Sequence, residues 1–405
     1  MNVRADRFPL MDSLRAIAAL LVVGSHAALF AGIFASGSVL HPYTDQLGAA
    51  GVTIFFLISG FLLYRPFARA NLEGKPWPST GAYAWRRFLR IVPAYWVALT
   101  GVAIWLSLAT VVKPAWHIPV FYGFGQVYTA KTTAAGLIQG WTLCVEVTFY
   151  AFLPLWALAV RGRSFRGELV ALGLLWLFAL GWKLFATRHA NPASLESGPW
   201  LQPLPNFLDQ FATGMGLAVI SVRGLPAGLA RATSRGWPWW LLAAVAYWVV
   251  SIPIGIPRPH NATETFLARH EGLTLFALAL LVPAIFGWQR RDSVRRVLGW
   301  RPLLYVGLVS YGLYLWHVAV VFRIADAMNG WMINTLGLAP EPRFVVLLVL
   351  GAAGGIAVAT ASYYLVERPA LSLKRLVRQP AERAEPGEAL AERAPATPIT
   401  APPAA

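Results

Sequence analysis

The stretch Asp12-Ser-Leu-Arg15-Ala-Ile-Ala-Ala-Leu-Leu-Val-Val-Gly-Ser-His26 decides the fold. Apart from its few polar members it reads as a membrane helix, and Arg15 and His26 stand eleven residues apart inside it. At about 100° per residue, eleven steps make three turns plus about 20°, so the two side chains share a face about 16 Å apart along the axis. An ionisable residue within a membrane span is costly and is by default a functional hypothesis. Asp12 either caps this helix or pairs with Arg15 one turn on.

The rest of the chain repeats the apolar theme. Of its 405 residues 57% are hydrophobic and 13% charged, against about 25% charged in a soluble domain. The reading is an all-α, polytopic membrane helical bundle. Spans of about 20 residues give ten transmembrane helices, over 14–34, 49–65, 91–112, 138–160, 168–187, 204–222, 237–254, 272–289, 302–323 and 343–365. The first run is too long for the core of a cleaved signal peptide and carries Arg15 and His26.

The net charge of +16 would suit nucleic acid, but the basic residues lie in short loops between spans. Of 34 Lys and Arg, 25 fall in one set of alternating loops and tails and 8 in the other, where Lys183 is counted, with Arg15 inside the first span. Because basic residues favour the cytoplasmic side, both termini are predicted to be cytoplasmic, and Arg15 begins near that face. The same charge suits anionic lipid and phosphate, and no nucleic-acid partner is expected. The 18 Trp fit interfacial belts. A single cysteine, Cys144, excludes an internal disulfide. Residues 1–370 form the predicted membrane domain. Residues 371–405 are a basic, then Pro- and Ala-rich tail, predicted to be disordered from about 379.

Four further stretches carry chemistry. His26 is either a helix-packing partner or a general base, since a neutral imidazole near a hydroxyl suits that work; sharing a stripe with Arg15 and Asp12 favours the second. Arg86, Arg87 and Arg90 sit at the predicted start of the third helix. Arg87 and Arg90, one turn apart, could fork onto a phosphate aided by a helix N-terminus, or simply anchor the span. In the fourth helix Glu146 and Tyr150 share a face, and a lone carboxylate there could orient an imidazole or hold a cation. In the ninth, Tyr311, Tyr314 and His317 follow at three-residue steps, either as interfacial aromatics or as part of a site. Glu367-Arg-Pro369 reads as a helix stop. No Cys/His/acid cluster has metal-ligand spacing, and no Gly-rich phosphate loop or nucleophile elbow is present.

Together these residues resemble the acyltransferase-3 family of bacterial integral-membrane O-acyltransferases. The resemblance rests on Asp12-Ser-Leu-Arg15 with His26, Gly51-Val-Thr-Ile-Phe-Phe-Leu-Ile-Ser-Gly60, Arg87-Phe-Leu-Arg90, Trp141-Thr-Leu-Cys-Val-Glu146, Ser310-Tyr-Gly-Leu-Tyr-Leu-Trp-His317 and Glu367-Arg-Pro369, in order over most of the membrane domain. The chain departs from the family pattern at Ser13, Thr53, Val147 and Thr148.

The resemblance implies acyl-CoA, usually acetyl-CoA, as a cytoplasmic donor substrate, with no resident cofactor. It also implies a sugar acceptor (polysaccharide, glycolipid or glycoside) and residence in a bacterial inner membrane. It puts His26 and Arg15 at the transfer site and the donor at Arg87 and Arg90, beside Arg86. Glu146 is then the expected orienting acid, and Asp12, Tyr150, Tyr311, Tyr314 and His317 are supporting residues. A flippase of lipid-linked sugar and a membrane glycosyltransferase are the competing classes; the latter would show more acids in the first outer loop than Asp45.

Overall fold

The computed structural model describes residues 8–133, 135–190, 198–251, 262–287, 290 and 292–377. Arg4, Arg7 and the tail from residue 378, expected to be disordered from 379, lie outside the described residues. Among those described there are helices and connecting turns but no strand.

Ten helices of fifteen residues or more each overlap one predicted span. They are α1 (Leu10–Ala31), α2 (Leu47–Leu72), α3 (Thr80–Trp105), α4 (Trp141–Ala159), α5 (Phe165–His189), α6 (Leu208–Arg223), α7 (Trp237–Ser251), α8 (Ala262–Ile285), α9 (Ser310–Asn334) and α10 (Pro340–Ser362). By length and apolar composition seven membrane spans qualify among the described residues, or eight if Arg301–Leu308 and α9 form one span bent by 76°. The expected ten is therefore not reached on that criterion, because α6 and α7 have only 16 and 15 residues, short of the ~20 that cross a bilayer core.

Local chemistry sets the boundaries. Gly32, at φ 83°, closes α1 by donating its N–H back to Leu29 and Ala28 carbonyls, a conformation glycine adopts without a Cβ penalty. Ser79 caps α3 through the Ala82 N–H. As a result α3 begins eleven residues before the predicted 91, and it ends at Trp105, before Ser107 turns to φ 54°. α10 continues through a π-turn over Tyr363–Glu367.

Helix α2 lies at the centre, packed against α1, α6 and α8. Small residues permit this, as is usual where lipid supplies no hydrophobic drive between helices. A Cβ on Gly60 would strike the Phe211 carbonyl of α6, and one on Gly214 would strike the Leu57 carbonyl of α2. Around this seam Phe56 stacks on Phe211 at 4.7 Å, and Phe211 on Phe149 of α4 at 3.9 Å. A second cluster, with Ala27, Leu313, Val321 and Leu347, joins α1 to α9 and α10. The start of α1 is pinned by Ser13, whose hydroxyl donates to the Leu298 carbonyl, and by a close approach at Gly307, where a Cβ would strike the Asp12 carbonyl.

Candidate active site

Two cavities flank the middle of α1. The first, about 200 Å³, is lined by Arg15, Arg87, Arg90, Glu146, Tyr150 and Tyr311, with apolar residues of α2. Arg15 donates to Asp12 at 2.9 Å, the i,i+3 pair the spacing suggests. The Arg87 guanidinium lies over the Tyr150 ring at 5.8 Å and that of Arg90 over Tyr311 at 5.9 Å. Such cation–π contacts hold a guanidinium without spending its hydrogen-bond donors. Arg87 Nε is buried and has no hydrogen-bond partner. Three guanidinium groups thus face one carboxylate in this basic cavity.

Glu146 accepts from the Ser59 hydroxyl at 2.7 Å and from Tyr150 at 2.6 Å. Tyr311 donates to the Ile91 carbonyl at 2.7 Å, tying α9 to α3.

The second cavity, about 650 Å³, is lined by His26, Gln139, Trp141, Asn206, Gln210 and His270, among others. Arg269, paired with Asp45 at 3.1 Å, is its cationic member. Val52 and Tyr314 line both cavities. Tyr314 donates to the Gln139 carbonyl at 2.9 Å and pairs with the Thr142 hydroxyl at 2.5 Å, which fixes it as the partition.

The hydrogen bonds of His26 define its tautomer. The Nδ1 of His317, a fully buried residue, approaches the carbonyls of Tyr314 at 2.8 Å and Leu313 at 3.1 Å. Carbonyls only accept, so Nδ1 carries the proton and Nε2 of the neutral ring is an acceptor. That Nε2 lies 3.2 Å from His26 Nδ1, which is also 3.0 Å from the Val22 carbonyl. With acceptors on both sides, His26 Nδ1 is the protonated nitrogen. Its Nε2 is left with a free lone pair, on a residue that lines the larger cavity. On α9 the three-residue steps form a ladder: Tyr311 at the basic cavity, Tyr314 in the partition and His317 at His26.

Several expectations change. Glu146 does not orient an imidazole: its partners are Ser59 and Tyr150, while His26 pairs with His317. Arg87 and Arg90 are not at a helix N-terminus, because α3 begins at Thr80, so free amides do not supplement their donors. Arg86 is on the same turn but lines neither cavity. Lys183 is no loop residue; it is fully buried within α5, with Nζ 2.7 Å from Asp209 and 3.3 Å from Glu271. Asp209 also pairs with His270 at 2.8 Å. This cluster was missed, although a lysine and two acids within apolar runs are a signal of the kind that drew attention to Arg15.

Comparisons with known proteins agree with the resemblance seen in the motifs. The sequence pattern of the Acyl_transf_3 acyltransferase domain matches residues 9–364. The chain is 27% identical over 394 residues to nodulation protein 10 of Rhizobium leguminosarum bv. viciae, covering 90% of this chain and 93% of that protein. It is 29% identical over 355 residues to the exopolysaccharide production protein ExoZ of Rhizobium meliloti, covering 84% and 93%. It is 27% identical over 408 residues to the acyltransferase MdmB of Streptomyces mycarofaciens, covering 92% and 94%. No solved structure matches. The domain match spans both cavities and the helices that build them, and the chain belongs to the Acyl_transf_3 family of multi-pass membrane acyltransferases.

Proposed function

We propose that the protein transfers an acyl group, acetyl in the simplest case, from acyl-CoA to a hydroxyl of a carbohydrate or glycoside. The observation that carries this reading is the pair of unlike cavities sharing Val52 and Tyr314. One is basic and suited to a polyphosphate; the other is amide- and aromatic-lined and holds His26. The exopolysaccharide role in the name of ExoZ supports a sugar acceptor.

The excess of basic residues in alternate loops supports ten crossings with both termini cytoplasmic, in a bacterial inner membrane. α6 and α7 would then be short spans, which a locally thinned bilayer accommodates. In that orientation the basic cavity opens towards cytoplasmic acyl-CoA. Arg87 and Arg90 bind its phosphates, the orphaned Arg87 Nε being one unspent donor, and Arg15 adds positive charge in the same cavity. The pantetheine arm brings the thioester past Tyr314 towards His26.

His26 Nε2 takes the proton of the acceptor hydroxyl as its oxygen bonds to the thioester carbonyl carbon. The tetrahedral adduct expels the CoA thiolate, and the imidazolium returns the proton to sulfur. While His26 is charged, its Nδ1–H stays bonded to His317 Nε2 and the Val22 carbonyl, which stabilises the cation and fixes the ring.

The test is purified protein with labelled acetyl-CoA and membranes or surface glycans from a producing cell. Label should enter the glycan fraction with wild type and not with correctly folded His26→Ala. Glycan translocation that needs no CoA would instead support a carrier.

A further inference from the structure

The larger cavity has a second imidazole that the transfer step does not use. His270 lines the same cavity as His26. Its Nε2 is 2.8 Å from Asp209 Oδ2 and 3.2 Å from the Gln210 side-chain amide; the carboxylate only accepts, so in the neutral ring Nε2 carries the proton, the Gln210 amide turns its oxygen towards it, and Nδ1 is the acceptor. Among the described residues Nδ1 bonds no protein group. Asp209, His270 and Glu271 bring ligand-type atoms within 4.8 Å of one another, a grouping fit for a cation. The Lys183 ammonium already stands 2.7 Å from Asp209 and 3.3 Å from Glu271 and fills that role. The cluster therefore acts as a buried brace that holds one ring in one orientation.

The surrounding wall says what the ring would meet. Gln139 and Asn206 line the cavity, are 3% and 1% exposed, and each has a side-chain oxygen with no hydrogen-bond partner. A buried acceptor left unpaired is costly, and a donor brought by a ligand would relieve that cost. The rings of Trp141, Phe207 and Phe266 supply apolar faces beside them. The cationic lining residue, Arg269, is already paired with Asp45. Unpaired acceptors, flat apolar faces and no free charge suit a neutral polyhydroxylated ring.

We propose that the Asp209–His270 pair is a second hydroxyl-binding site for a neutral pyranoside acceptor, orienting the ring whose reacting hydroxyl meets His26. This rests on the acyl-transfer reading only for the identity of the reacting hydroxyl; the binding site itself stands on the cavity and its brace.

The experiment uses the full chain in a zwitterionic detergent, titrated with methyl glucoside, methyl galactoside and methyl mannoside and followed by tryptophan fluorescence, since Trp141 lines the cavity. Wild type should bind at least one of the three, and His270→Asn should bind it about tenfold more weakly while keeping wild-type affinity for coenzyme A. If His270→Asn loses its coenzyme A affinity, His270→Gln carries the test: it keeps an amide donor for Asp209 but no Nδ1, and it should shift the ranking of the three glycosides. Wild type that binds none of them, or variants that retain coenzyme A affinity and bind them unchanged, would overturn the proposal. Glycoside binding that depends on His270 in a protein unable to transfer acetyl would leave this site standing and remove the acyl-transfer reading.

Discussion

His317 Nε2 and His26 Nδ1 lie 3.2 Å apart, across the seam between α9 and α1. Because His317 Nδ1 is committed to backbone carbonyls, the hydrogen bond runs from His26 to His317. That polarity leaves the Nε2 lone pair of His26 free, as the proposed base requires, and gives a fully buried histidine a defined hydrogen-bonding role.

Loss of this hydrogen bond should appear in turnover rather than in donor binding. His317→Leu is expected to lower kcat by about 10- to 100-fold, the worth of one hydrogen bond to a charged group. His317→Gln, which can offer Nδ1–H an acceptor oxygen, should recover part of the rate. Steady-state kinetics with labelled acetyl-CoA measure both. Equal losses in the two variants, or a change confined to donor KM, would rule out the positioning role.

Donor docking should separate the three neighbouring arginines. Arg87→Ala and Arg90→Ala are each expected to raise the KM for acetyl-CoA by about 10- to 100-fold. Arg86→Ala, which removes a side chain lining neither cavity, should change it far less. Calorimetric titration with coenzyme A gives the same comparison without turnover, and an Arg86 effect matching the others would contradict the assignment.

Gly307 tests whether the start of α1 is held by direct backbone packing. Gly307→Ala puts a methyl group against the Asp12 carbonyl, and overpacking of this kind costs about 1–3 kcal/mol. Thermal unfolding should show the loss, with weaker coenzyme A binding because the displaced turn carries Arg15. Gly330→Ala, in α9 with nothing within 4 Å, should leave stability unchanged or raise it by up to about 1 kcal/mol.

Buried charge at Lys183 predicts a compensating pair. Lys183→Met leaves Asp209 and Glu271 without their shared cation and is expected to destabilise the protein by about 3–5 kcal/mol. Adding Asp209→Asn removes one stranded carboxylate and should recover a measurable part. Chemical denaturation in mixed micelles follows both; a double variant weaker than the sum of the singles would show that the cluster does not act as an ion pair.

Much of the fold was legible because hydropathy and helical periodicity are local properties. Every predicted span overlaps a helix, and the common face of Arg15 and His26 follows from 3.6 residues per turn. The errors sit where a non-local or capping contact decides. Ser79 extends α3 back past Arg87, which removes the expected helix N-terminus from Arg87 and Arg90. The 76° break before α9 follows directly on Gly307, which sits against the Asp12 backbone of α1. Lys183 looked like loop charge because its two carboxylates come from α6 and α8, far away in sequence.

The sequence by itself determined a helical membrane protein, its family motifs and the residues able to do chemistry, since each depends on composition or on spacing along one helix. Only the tertiary structure decided how those residues divide. Glu146 went to the arginine cavity and His317 to His26, and His270 was aimed by Asp209 and Lys183. Those pairings join helices distant in the chain, and their geometry exists only once α2 has packed against α1, α6 and α8. Arg15 and His26 share one stripe of α1, but its two ends line two different cavities.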